Sequence, residues 1–315
     1  MEPLSLEATE SSNDMINIVT IHWLSSQWID PQLDHLERNL GGPFRVFASL
    51  NGPEALGARS RFHFAEDLPG GHASKLNALA QRVLQDSEPS DVLIFLDGDA
   101  FPVQPLGEWI GRTLAQHPLA AVRRAENAGD LRPHPCFCMT TVGFWETIVG
   151  DWRPAPWTSP GGEEFVDAGT VLYKTLLDRG IGWMPMLRTN THDLHPLWFA
   201  IYDHRIYHHG AGFRSRFSYA DAANVRVDAR SARTWKGPPT LGALAKTPLK
   251  DPSTLMRLRP RHASTLGRSA VKTARRFAMQ RYARRAETTS SDVFSRLTSE
   301  PGFFSELDDA IGTCH

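Results

Sequence analysis

Cysteine is scarce in this chain, three in 315 residues. Cys136 and Cys138 stand two apart, too close for an ordinary structural disulfide and too few for a closed zinc site, so both read as buried free thiols, with Cys314 near the end. Long apolar runs are also missing: nothing reaches the roughly 18 apolar residues that a membrane-spanning helix needs. The opening segment carries Glu2, Glu7, Glu10 and Asp14 where a secretory leader would be basic and then apolar. It reads as a disordered tail over residues 1–14, and the expected location is the cytoplasm. No internal repeat is present, which sets aside repeat architectures.

Net charge is small too, −1, but that figure hides a division. Residues 255–286 hold ten Lys or Arg and no acidic residue, so the rest of the chain has 24 basic against 35 acidic residues, a balance of −11. An acidic body that binds a phosphorylated ligand needs local positive charge, and a bound divalent cation supplies it. With 41% hydrophobic residues the chain has material for one large α/β domain with appendages or for two small ones.

Strand and helix signals alternate through the first 100 residues. Residues 16–23 read as a strand, 31–40 as a helix opened by Asp30 and closed by Gly41, 44–50 as a strand and 61–64 as a short third one. The pair Gly70-Gly71 opens a helix running to about Gln85, and a strand follows at 91–96. This order predicts a doubly wound, Rossmann-like sheet. Further on, 105–116 reads as a helix with proline first, 119–123 and 136–141 as strands, and 153–162, with Pro154, Pro156 and Pro160, as an irregular mobile loop. Asp167 then precedes a helix at 168–178, strands follow near 183–187 and 205–208, and 235–260 reads as an extended linker.

The segment Leu93-Ile94-Phe95-Leu96-Asp97-Gly98-Asp99 carries the most chemistry. A short apolar run reads as a buried parallel strand, and open α/β sheets bind ligands beyond strand carboxyl ends. Two carboxylates around a glycine suit Mg²⁺ or Mn²⁺ shared with substrate phosphates; an acidic turn after a strand would look the same.

In this setting the chain resembles the GT-A class of nucleotide-sugar-dependent glycosyltransferases, most closely its large family-two-like group. The resemblance covers residues 15–216 and rests on the strand at Ile16, the helix with Lys75 and Asn77, Asp97-Gly98-Asp99, the helix start at Asp167 and Ile206-Tyr207-His208-His209. It implies an α/β GT-A fold, a Rossmann-like mixed sheet flanked by helices, here with a basic helical C-terminal extension. It divides the chain into the tail 1–14, a catalytic domain at 15–234 and a linker with basic extension at 235–315.

The resemblance also implies roles. Asp99 and Asp97 would hold the cation, completed by His208 or His209, of which only one can face it because neighbours on a strand point oppositely. Thr20 and His22, with Trp23, end the strand where the class binds the nucleotide base. Lys75 and Asn77 lie where a helix N-terminus attracts phosphate or ribose, although exposed helix residues would look identical. Arg214 and Arg216 on the glycine-rich loop after His209, and Arg123 and Arg124, could meet the diphosphate. The class often carries Glu-Asp before its catalytic helix. Here Glu163 and Glu164 are separated from Asp167, so Asp167 reads either as catalytic base or as a helix N-cap, with the glutamates as substitute bases. Trp152, Trp157, Trp183 and Trp198 offer faces for sugar stacking or for the core. His192, His195 and His204 complete no familiar zinc spacing.

The expected function is therefore metal-dependent transfer of a sugar from a nucleoside-diphosphate sugar to a saccharide, lipid-linked or small-molecule acceptor hydroxyl, with inversion. The alternatives are a haloacid-dehalogenase-type phosphatase, whose similar motif lies on a first strand and continues with Gly-Thr, and a non-catalytic nucleotide-sugar-binding domain. The basic tail has an amphipathic stripe at Leu266, Ala270, Ala274, Phe277 and Ala278. It reads as a helix on the acidic body or on the inner membrane face, and not as a nucleic-acid module.

Overall fold

The computed structural model describes residues 14–125, 130–158, 164–190, 200–210, 291–300 and 303. In chain order these form β1 (Ile16–Trp23), α1 (Ile29–Asn39), β2 (Phe44–Asn51), α2 (Pro53–Leu56), β3 (Phe64–Glu66), α3 (His72–Asp86) and β4 (Val92–Asp97). Next come β5 (Ala100–Pro102), α4 (Gly107–Leu114), β6 (Leu119–Val122), β7 (His134–Thr141) and α5 (Val142–Thr147). Then follow β8 (Ala155–Thr158), β9 (Glu164–Asp167), α6 (Thr170–Asp178), β10 (Met184–Met186), β11 (Ala200–Tyr202) and β12 (Ile206–His208). A last helix, α7, covers 291–299.

Seven strands form one sheet in the order β10-β6-β7-β4-β1-β2-β3. The four strands of the first third run parallel, as the alternation of elements predicts, while β7 lies antiparallel to both β4 and β6 and makes the sheet mixed. Side chains alternate across the sheet. Ile16 and Ile18 of β1 and Ile94 and Leu96 of β4 face α1 and α4, whereas Val19, Ile21, Leu93 and Phe95 face α3, α5 and α6. Phe95 anchors the second layer through Trp145 and Trp152, with ring centroids 4.6 and 5.1 Å away, so Trp152 is core and no sugar platform.

A small antiparallel sheet, β11-β12-β5, branches off directly after β4. Its register pairs His208 with Ala100. Residues far apart in sequence are thereby brought to the carboxyl ends of β1 and β4.

Several boundaries differ from the sequence-based expectation. The third strand is 64–66, and 59–61 is a turn of 3₁₀ helix. The helix α4 begins at Gly107, leaving Pro105 outside. The stretch expected to be irregular contributes β8, paired with β9 as a hairpin; Pro156 sits opposite Val166 in this two-stranded unit, where each strand has one partner and a missing N–H is tolerated. Asp167 ends β9 and is not the cap of α6, whose N-cap is Gly169 at φ 85. The linker at 235–260 and the basic stripe lie outside the described residues. Among the described residues no helix is long and apolar enough to cross a membrane.

Two glycines give opposite expectations. A Cβ on Gly169 would meet the Pro133 carbonyl oxygen at 2.4 Å, whereas Gly111, inside α4, has nothing within 4 Å. In urea unfolding, Gly169→Ala should lose about 2 kcal/mol or more from strain, and Gly111→Ala should gain about 0.5–1 kcal/mol.

Candidate active site

The chain leaves β4 at Asp97, turns through Gly98 and Asp99, and enters β5. One side chain of α1 holds this corner: Gln32, fully buried, donates from Nε2 to the carbonyl oxygens of Asp97 and Ala100, each at 2.8 Å. Gln32 Oε1 accepts from the Thr20 hydroxyl at 3.1 Å and lies 3.2 Å from His22 Nε2. Since an amide oxygen only accepts, His22 carries its proton on Nε2. Burial keeps that ring neutral, with its pKa lowered to about 4.

Above the corner, His208 Nε2 lies 3.4 Å from Asp97 Oδ2 and 3.5 Å from Asp99 Oδ1. One ligand atom from each of Asp97, Asp99 and His208 falls within 4.8 Å of the others. His72, at the start of α3, reaches Asp97 Oδ1 at 3.0 Å. Burial alone would push the Asp97 carboxyl up, but hydrogen bonds from His208 and His72 reverse it and hold it well below the usual carboxylate range. Asp99 is lowered too, burial being outweighed by His208. Burial opposes charge on His208, yet the neighbouring Cys136 and the carboxylates of Asp97 and Asp99 raise its pKa well above the ordinary imidazole value.

His209 faces the other way. Its Nδ1 lies 2.8 Å from the Tyr207 hydroxyl, and its ring packs on Trp28 at 4.5 Å, which in turn meets Phe294 of α7 at 4.9 Å. Its backbone N–H donates to the Asp99 carbonyl at 2.9 Å. Of the two adjacent histidines, His208 joins the carboxylates and His209 supports their backbone.

The corner opens into a cleft of about 500 Å³, whose walls include Trp23, Lys75, Arg124, His134 and Asp167. Lys75 is almost wholly buried, with Nζ 4.9 Å from the Trp23 ring centroid and 3.9 Å from Asp67. Arg124 Nη1 lies 3.2 Å from His134 Nε2. The N-terminus of α3, preceded by Gly70 at φ 93, also lines the cleft and directs its positive end there. An acidic floor with basic walls suits an anionic ligand held partly through a divalent cation.

Asp167 reaches this cleft from the end of β9, its carboxylate Oδ1 accepting from the Ala168 N–H at 2.8 Å. Beneath it, Arg132 makes a buried two-bond pair with Asp130 at 2.8 and 2.6 Å and gives Nη1 to Thr170 Oγ1 at 2.8 Å and to the Asp167 carbonyl at 3.2 Å. Arg132 Nη2 is 3.9 Å from Asp167 Oδ2.

Other expected ligand contacts are placed elsewhere. Thr20 and His22 lie in the polar knot beneath the corner, not in the cleft, because their side chains face α1. Asn77 is committed at both amide ends, to Asp151 Oδ1 at 2.6 Å and the Trp152 N–H at 2.9 Å, and braces a loop. Arg123 is absent from the lining, and Glu164 is exposed in the hairpin opposite Thr158. Arg214, Arg216, Glu163, His192, His195 and Trp198 lie outside the described residues. Sequence reasoning missed Gln32, His72, His134, Asp130 and Arg132. Of these Gln32 left a signal, a polar residue on the buried stripe of α1 with Ile29, Leu33 and Leu36.

No protein-family model matches the chain, and no curated protein matches it by sequence. Among solved structures it is similar to TarS of S. aureus, at 12% identity and TM-score 0.33 over 44% of this chain and 30% of that one. It is similar to the glycosyltransferase GlyE of Streptococcus pneumoniae TIGR4 at 16% identity and TM-score 0.32, over 43% of this chain and 36% of that one. A third, A197 from STIV, has 13% identity and TM-score 0.31 over 45% of this chain and 72% of that one. The matched part spans about a third of the length of the first two.

The Asp130–Arg132 pair yields a stability prediction. Arg132→Met strands a buried carboxylate and should cost about 3–5 kcal/mol in urea unfolding, while Asp130→Leu combined with Arg132→Met should recover most of that loss.

Proposed function

We propose that this chain is a metal-dependent glycosyltransferase of the GT-A class, moving a sugar from a nucleoside-diphosphate donor to an acceptor hydroxyl with inversion. The grouping of Asp97, Asp99 and His208 within 4.8 Å, at the carboxyl end of a parallel strand and facing the cleft, carries this reading. Two carboxylate oxygens and one imidazole nitrogen are a fitting donor set for Mn²⁺, with Mg²⁺ the harder alternative. When bound, the ion supplies positive charge that stabilises the diphosphate as the glycosidic bond breaks.

In this reading the chain's own residues bind and orient. Asp97, Asp99 and His208 hold the cation, and His208 does so as neutral imidazole. Lys75 and Arg124 offset donor charge that the acidic body would otherwise repel. Trp23 presents a half-exposed ring beside Lys75, at the strand end where the class seats the nucleotide base. Asp167 takes the proton from the acceptor hydroxyl as general base. Its carboxylate is reachable, 58% exposed, while its backbone is fixed by Arg132 and Thr170. The acceptor is a saccharide, a lipid-linked sugar or a small molecule.

Thermal unfolding with UDP, GDP and dTDP, each with and without Mn²⁺, tests the reading. One diphosphate at about 100 times its Kd should raise Tm by roughly 2–4 °C or more, only with Mn²⁺ present, and Asp99→Ala should abolish the rise. Stabilisation by phosphomonoesters alone would replace this reading with the phosphatase.

A further inference from the structure

Gln32 is a fully buried amide on a helix face that is otherwise apolar, flanked by Ile29, Leu33 and Leu36. An amide in such a place is costly unless its donors and its acceptor are all engaged. Here both N–H groups are given to peptide carbonyls, those of Asp97 and Ala100, and the oxygen receives Thr20 and His22. The orientation is single-valued: reversing the amide would set its oxygen against two carbonyl oxygens, neither of which can donate. Both carbonyl oxygens share one nitrogen, so the Asp97–Ala100 turn cannot widen or rotate without breaking one of these bonds.

From this geometry we infer that Gln32 is a positioning residue for the cation site, setting the spread and aim of the Asp97 and Asp99 carboxylates through the backbone on either side of them. The inference rests on the proposed reading of Asp97, Asp99 and His208 as that site. Gln32 itself does not line the cleft. Thr20 and His22 belong to the same device, which gives these two strand residues a role beneath the cleft. Partners that orient metal ligands typically alter affinity 10- to 100-fold when removed, and a clamp on the backbone of two ligands belongs with them.

The test is Mn²⁺ binding by the full chain, without nucleotide, followed by titration calorimetry and by electron paramagnetic resonance of free Mn²⁺. Gln32→Glu keeps the shape but removes both N–H donors, and should weaken Mn²⁺ binding about 10-fold or more. Thr20→Val leaves the amide in place but removes one of its orienting donors, and should weaken binding by a smaller factor, about threefold. Val83→Ala, in the core on the opposite face of the sheet, controls for lost stability and should leave Mn²⁺ affinity unchanged although its Tm falls. If Gln32→Glu does not fold, Thr20→Val decides. Folded variants that bind Mn²⁺ as tightly as the wild type would overturn the role of Gln32 and leave the cation site standing. A wild type that binds no Mn²⁺ would overturn both.

Discussion

The site depends on one constraint: a parallel strand must end in two carboxylates and turn at once into another sheet, and the buried backbone of that turn must be satisfied. Gln32 meets it with one amide, and other features follow. The helix α1 lies where its second buried position, Gln32, reaches the corner. The strand β1 departs from its apolar pattern at Thr20 and His22, because those positions hold the amide's oxygen end. An ionised residue in the place of Gln32 would add the desolvation of a charge in a fully buried site, whereas an amide provides two donors and an acceptor without that cost.

The small sheet is the second half of the arrangement. Its strand β5 starts three residues after Asp97, so the register that sets His208 opposite Ala100, held by the bond from the His209 N–H to the Asp99 carbonyl, ties a histidine more than 100 residues distant to the carboxylate corner. A one-residue slip in β12 would exchange the faces of His208 and His209. The packing of the His209 ring on Trp28 and the bond from its backbone N–H to the Asp99 carbonyl oppose such a slip. The α7 residue Phe294 closes over Trp28, so the far end of the described chain packs behind the site.

Much of this was legible in the sequence, and the rest has identifiable reasons for being hidden. The apolar runs of β1, β2 and β4 show as strands because both faces are covered, and α3 shows by its glycine pair and its stripe. Asp97 and Asp99 are conspicuous because an apolar strand ends in them. The strands β5 and β11, three residues each, are too short for any period to emerge. The β8–β9 hairpin was concealed by its prolines, which forbid a central strand and not a peripheral one. His72 reads as an ordinary polar residue at a helix start until the fold brings it to Asp97. Asp130 and Arg132, two apart in a connecting segment, gave no sign of burial.

Asp167 illustrates how local rules mislead near a functional site. An aspartate before a helix is ordinarily a cap, and here the cap position falls two residues later, on a glycine with positive φ. That backbone turn, packed against the Pro133 carbonyl and the Trp152 ring, lets the chain pass from β9 into α6 while the aspartate stays outside the helix. A capping carboxylate would be bound to the amides of the first helical turn and withheld from the cleft. With Gly169 at the cap, the Asp167 carboxylate meets, among the described residues, its neighbour's N–H and a distant guanidinium, while Arg132 and Thr170 hold its carbonyl. Arg132 and Thr170 thus hold the backbone while the carboxylate stays open to the cleft, as the proposed role of Asp167 needs.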